Sequence, residues 1–488
     1  MYHLVLHSLN LSIDFKMELL VTLVLLGLLL SNNCSASVVI NRYNDEGCVL
    51  KPELIREIQS YKDVTKLIMD NIKNTTGKEM YEEYTRFIDK FGARLSGSDN
   101  LEHAIDHMIN MTHSYGLNDV TTEEVDAPHW VRGEETAFMS SPRKKHIAIL
   151  GFGSSVPTPP EGITAEAIVV KSFTELEKMN DESVKGKIVV FNPPYVSYGV
   201  TVAYRSQGAT KAAMKGAVAT LVRSITPYSL YTLHTGAQFY GDNVIKIPTA
   251  AITVEDAHLL ERLQKEGEKI VITIKMSNTF DIKKSRNTLV DLKGKSEPNK
   301  LVIVSGHIDS WDVGEGAMDD GGGMFISWFA PVLLNRLGLK PKRTVRAILW
   351  TAEEPGLVGA AAYLDKHKHE LNDIDFIMES DEGTFSPEGL IVGGSNQTVC
   401  VIQEVLKLFS PVDKVEKSDG PGSDIVLIIK QGVPGASLMN KNERYFYFHH
   451  SEADTMDVQN KEDVIDSAAF WAAVSYVIAD LSIDIPRF

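Results

Sequence analysis

Leu301-Val302-Ile303-Val304-Ser305-Gly306-His307-Ile308-Asp309 is the stretch on which the fold turns. Its apolar residues run on without polar alternation, as in a strand buried on both faces. It then breaks at a glycine and delivers an imidazole and a carboxylate. Similar runs recur at Val345-Arg346-Ala347-Ile348-Leu349-Trp350, at Phe376-Ile377-Met378 and over 433–438. Helical spacing fills the gaps at 325–337, 360–369 and 399–409. Strands and helices alternating at this length predict an α/β fold, a mostly parallel mixed sheet flanked by helices. Upstream, 52–115 reads as helical, interrupted by the turn Phe91-Gly92-Ala93-Arg94-Leu95-Ser96-Gly97-Ser98. Between about 125 and 281 the texture is β-rich and broken by Pro and Gly. That segment offers no cluster of metal ligands or nucleophiles and reads as a packing or lid domain.

In a sheet of this kind, ligands bind beyond the carboxyl ends of the strands, and the chemistry-bearing residues fall there. His307 is a zinc-ligand candidate, and Asp309 can accept its other ring proton and fix the tautomer. Twelve residues after His307 comes Gly316-Ala317-Met318-Asp319-Asp320-Gly321-Gly322-Gly323. A carboxylate such as Asp319 can bridge two metals, which a neutral imidazole cannot. The next strand ends in Glu353-Glu354, where one carboxylate can bind metal while its neighbour faces the attacking water. Asp381 follows a further strand. His449-His450 supplies the late imidazole and Asp454 a supporting acid. Each piece alone is ordinary surface chemistry; their coincidence beyond different buried strands points to a metal site.

The order His-x-Asp, Asp-Asp-Gly, Glu-Glu, Asp and His-Ser-x-x-Asp-Thr resembles the co-catalytic dizinc exopeptidases over nearly the whole chain that follows the leader. The resemblance implies two zinc ions per subunit. His307 and Asp381 would hold one, Glu354 and His450 the other, with Asp319 shared and Glu353 as general base. It also implies a cis Asp319–Asp320 peptide, a homodimer and hydrolysis of short peptides, foremost unblocked dipeptides. Relatives carry a tyrosine beside the last histidine; here His449 stands there and Tyr447 two residues before it, so both are candidates to stabilise the oxyanion. His449 is also a rival to His450 as ligand. An aminopeptidase on longer peptides is the competing enzyme reading, and a catalytically dead binding protein is disfavoured because no ligand is missing.

The implied organisation is a signal peptide over 1–36, a candidate propeptide over 37–55 without a convincing processing site, and a catalytic domain in two parts, 56–125 and 284–488. Residues 126–283 would be an inserted protease-associated domain. The leader rests on the 12-residue apolar run 19–30, which is followed by small residues up to Ala36 and is shorter than the roughly 20 residues of a membrane span. Sequons at Asn74, Asn110 and Asn396 fit a secreted or lysosomal glycoprotein. After cleavage only Cys48 and Cys400 remain, to pair or to stay as inert thiols. The net charge of −16 opposes binding to nucleic acid phosphates.

Overall fold

The computed structural model describes residues 48–488, all within one compact unit, 43–488. The signal-peptide reading and most of the candidate propeptide lie outside the described residues. Helix Pro52–Ser60 opens the described chain. Just before it, Cys48 forms a disulfide with Cys400, their Cα atoms 5.5 Å apart, a pairing at home in the oxidising secretory pathway. Among the described residues, no helix is long and apolar enough to cross a membrane.

Eight strands form the principal sheet: β1 Val120–Val131, β2 Thr279–Leu292, β3 Glu297–His307, β4 Arg343–Trp350, β5 Ile374–Glu379, β6 Pro387–Gly393, β7 Lys414–Lys417 and β8 Gly435–Asn440. Their spatial order is β1-β2-β4-β3-β5-β8-β6-β7. The parallel run β4-β3-β5-β8 occupies the middle, and antiparallel pairings flank it. The sheet is mixed, as the strand–helix alternation predicts: β6 and β7 also pair in parallel, and β1 and β2 add a long antiparallel ribbon that alternation cannot reveal.

The unbroken apolar runs of β3, β4 and β5 divide residue by residue between two cores, as the period of two demands. Val302, Val304, Val345, Ala347, Phe376 and Met378 pack with helices Gly322–Arg336 and Lys461–Asp480 on one face. Ile303, Ile348, Trp350 and Ile377 pack with Ala360, Tyr363 and Ile428 on the other. Such two-sided burial leaves only the strand ends free to present chemistry.

The β1–β2 ribbon is paired along its whole length, from Val120 opposite Val290 to Val131 opposite Thr279. The chain between its far ends builds a second eight-stranded sheet from strands between Glu135 and Met276, accompanied by helices Ala203–Ala213 and Val254–Lys265. Asn74, Asn110 and Asn396 are all exposed, as glycan acceptors must be.

Candidate metal centre

β3 ends at His307, β4 at Trp350 just before Glu353-Glu354, and β5 at Glu379 just before Asp381. Their parallel register brings these ends to one edge. His307 Nε2 lies 3.2 Å from Asp319 Oδ1 and 3.0 Å from Asp381 Oδ1. On the other side, His450 Nε2 lies 3.0 Å from Glu354 Oε2 and 3.3 Å from Asp319 Oδ2. Asp319 thus turns one oxygen to each imidazole.

The loop carrying Asp319 is fixed by its surroundings. The Asp319–Asp320 peptide is cis. Asp454 accepts hydrogen bonds from the backbone N–H groups of Met318 (2.6 Å) and Asp319 (3.1 Å). Asp320 turns back, accepting from His307 N at 3.1 Å and Gly323 N at 3.1 Å. A Cβ at residue 323 would stand 2.0 Å from the Ser380 carbonyl and 2.4 Å from Asp320 Oδ1, so glycine is required for this close approach. Arg94, from the Gly/Ser turn, is fully buried. It donates to the carbonyls of Ile308, Glu315 and Gly316 at 2.7–2.8 Å, which anchors both ends of the loop between His307 and Asp319.

One supporting contact differs from expectation. His307 Nδ1 meets the backbone carbonyl of Asp309 at 2.9 Å, whereas the Asp309 carboxylate is 3.7 Å away. That carboxylate accepts instead from Glu353 N (3.0 Å) and Glu354 N (3.3 Å), orienting the glutamate pair. The chain leaves β4 through Ala352 at φ +54°, so Glu353 and Glu354 sit in a turn and not on extended chain.

Electrostatically this is a cation site. Burial disfavours protonation of His307, but Asp381 and Asp319 outweigh it and lift its pKa well above the usual imidazole value. His450, likewise opposed by burial, is raised to about 9 by Glu354 and Asp319. Burial raises Glu354 to about 7 and holds Glu353 well above the carboxylate range. Crowded carboxylates around imidazoles that hold protons tightly are groups competing for positive charge. Asp319 Oδ2 and Glu354 Oε1 are buried without a hydrogen-bond partner. Donor atoms of His307, Asp319 and Glu354 lie within 4.8 Å of one another, as do those of His307, Asp320 and Asp381, and of Asp319, His449 and His450. These residues fit metal. Asp320 is the poorest ligand among them, since backbone donors occupy both its oxygens.

His449 stacks on His450, ring centroids 3.5 Å apart, and its Nε2 is 3.6 Å from Asp319 Oδ2. Burial and the neighbouring His450 push its pKa well below the ordinary value, so it is a neutral imidazole beside the cluster. Tyr447 is not brought to the cluster: its ring packs against Tyr228 and Phe448. Tyr445 is, with its hydroxyl 3.3 Å from the Asp381 carbonyl.

Sequence reasoning passed over several residues here. Ser423 Oγ donates to Asp381 Oδ2. Asp424 and Glu379 are fully buried; both Asp424 oxygens and Glu379 Oε1 lack a partner, and burial raises Glu379 to about 8. Glu379, two residues before Asp381 at the same strand end, could have been noticed. The inserted segment supplies the rest. His234 Nδ1 meets the His449 carbonyl at 2.7 Å, and Tyr198 stacks on Phe446 and sets its edge against His449.

Residues 287–475 match peptidase family M28. The chain is 50% identical over 442 residues to carboxypeptidase Q of Xenopus laevis, covering 90% of this chain and 94% of that protein. It is equally 50% identical over 438 residues to carboxypeptidase Q of Homo sapiens, covering 89% and 93%. Among solved structures, a peptidase M28 precursor from Shewanella amazonensis superposes with a TM-score of 0.83 at 29% identity, over 88% of this chain and 98% of that one. The chain belongs to peptidase family M28 and, within it, to the carboxypeptidase Q group: it is an exopeptidase of the hydrolase class.

Proposed function

We propose that this enzyme is a zinc exopeptidase of the secretory pathway, secreted or lysosomal, that hydrolyses short peptides, foremost unblocked dipeptides. Two zinc ions would be held, one by His307 and Asp381 and the other by Glu354 and His450, with Asp319 available to both. The observation that carries this reading is the division of Asp319, Oδ1 toward His307 and Oδ2 toward His450. Zinc at such a centre supplies Lewis acidity and makes water nucleophilic near neutral pH.

The chain's own groups then divide the work. Glu353 takes the proton of the attacking water and returns it to the leaving amine. The Asp309 carboxylate, accepting from Glu353 N and Glu354 N, fixes the turn that carries both glutamates. His449, neutral and close to Asp319, can donate to the developing oxyanion, a role for which Tyr445 is better placed than Tyr447. In this reading residues 126–283 are a protease-associated domain inserted between the two parts of the catalytic domain, and the enzyme is a homodimer.

Glu353→Gln tests the core of the reading. It is isosteric and retains the backbone bond to Asp309. Zinc content by elemental analysis should be unchanged, while kcat on a dipeptide panel falls by about 10²–10⁴-fold. Substantial residual turnover in the zinc-loaded variant would remove Glu353 from its role.

A further inference from the structure

The 126–283 segment carries no ligand cluster of its own, yet it lies directly against the last histidine. Thr235 N donates to the His450 carbonyl at 2.9 Å, and His450 Nδ1 lies 3.2 Å from the Thr235 carbonyl. This reciprocal pair holds His450 at φ +59°, a conformation that a non-glycine residue keeps only where its surroundings enforce it. With Nδ1–H on the carbonyl, Nε2 is the nitrogen left to take a metal ion beside Glu354 and Asp319.

The acceptor is itself pinned. Arg205 Nη1 donates to the same Thr235 carbonyl at 3.2 Å and lies 3.4 Å from His450 Nδ1. Nε donates to the Ala237 carbonyl at 3.2 Å, and Nη2 to Tyr198 Oη at 2.8 Å. Arg205 is only 6% exposed, and the partners that fix it are carbonyls and a phenol, not a carboxylate. A buried guanidinium is costly, and here its fork spans the residues that touch His449 and His450.

We infer that Arg205 is a positioning residue for His450: acting through the Thr235 carbonyl, it makes the inserted segment a working part of the metal centre. The inference rests on the two-zinc reading above. It assigns the insert to one half of the centre, the His450–Glu354 half, and leaves the His307–Asp381 half independent of it. A lid that merely excludes water would not favour one ion over the other.

The test is equilibrium binding of zinc alone to the full chain, in chelator-buffered zinc, for the parent, Arg205→Lys and Arg205→Met, with folding checked by circular dichroism. Loss of an outer hydrogen-bond partner weakens metal binding by about 10–100-fold. Arg205→Met should therefore weaken one of the two ions by that factor and leave the other at the parent affinity. Arg205→Lys keeps the charge but loses the planar fork, so it should weaken the same ion by a smaller factor. A folded Arg205→Met that binds both ions like the parent overturns the inference, as does equal weakening of both. If Arg205→Met does not fold, Arg205→Lys decides: unchanged affinity for both ions overturns the inference, selective weakening supports it. A parent chain that holds a single ion sinks the two-zinc reading instead, and the inference is then judged on that ion by the same comparison.

Discussion

Asp454→Asn isolates what holds the shared carboxylate in place. The wild-type side chain accepts from Met318 N at 2.6 Å and Asp319 N at 3.1 Å, one oxygen to each. The amide keeps one oxygen and turns an NH2 group toward the second N–H, so one hydrogen bond to a buried charged acceptor is lost and two donors confront each other. A bond of that kind is worth about 1.5–3 kcal/mol. The backbone carbonyl of Asp454 still accepts from Glu315 N at 2.7 Å, which confines the damage to the 318–319 peptides. The variant should therefore fold with a melting temperature a few degrees lower. Because Asp319 is then aimed less firmly, zinc affinity should fall by about 10–100-fold, or about 1.4–2.8 kcal/mol. Thermal unfolding with and without zinc, together with chelator-buffered zinc titration, reads both numbers. Parent-like melting together with parent-like zinc affinity would show that Asp454 does not position Asp319.

Two further outcomes are expected. A Cβ at residue 153 would stand 2.2 Å from the Trp311 ring, and that ring lies 5.7 Å from the His450 ring; Gly153→Ala should cost about 1–3 kcal/mol of stability through overpacking and lower kcat/KM, read by melting and dipeptide assay. His234 is neutral in the fold because burial lowers its pKa from 6.5 to about 4. The unfolded chain therefore binds the extra proton first, and stability drains away as pH falls from about 6.5 to about 4, by up to about 3 kcal/mol. His234→Gln lacks this penalty, so its stability deficit relative to the parent should narrow across that window; a deficit independent of pH would contradict the assignment.

The α/β core was legible from sequence because two-sided burial leaves a local signature. The runs at 301–305 and 345–350 are apolar at successive positions, and strands built that way have only their ends for chemistry. That places His307, Glu353-Glu354 and Asp381 at one sheet edge from the strand pattern alone. What stayed hidden was non-local. Nothing in the local pattern of Val120–Val131 announces a partner at Thr279–Leu292, and a hydrogen bond from His307 Nδ1 to a backbone carbonyl looks no different in sequence from one to the Asp309 side chain.

The feature that opened the reading, a buried strand ending in Gly-His-x-Asp, was thus decided by the sequence alone, since apolar periodicity and residue chemistry are properties of neighbours along the chain. The tertiary structure decided which atoms meet. It gave Asp319 one oxygen for His307 and one for His450, set His449 beside the cluster as a neutral ring, and brought Tyr445 in where Tyr447 had been a candidate. It also laid Arg205, Thr235 and His234 against the last histidines, across more than 200 residues of chain. Only folding can choose such pairings, because hydrogen-bond geometry and burial belong to the packed interior and not to the order of residues.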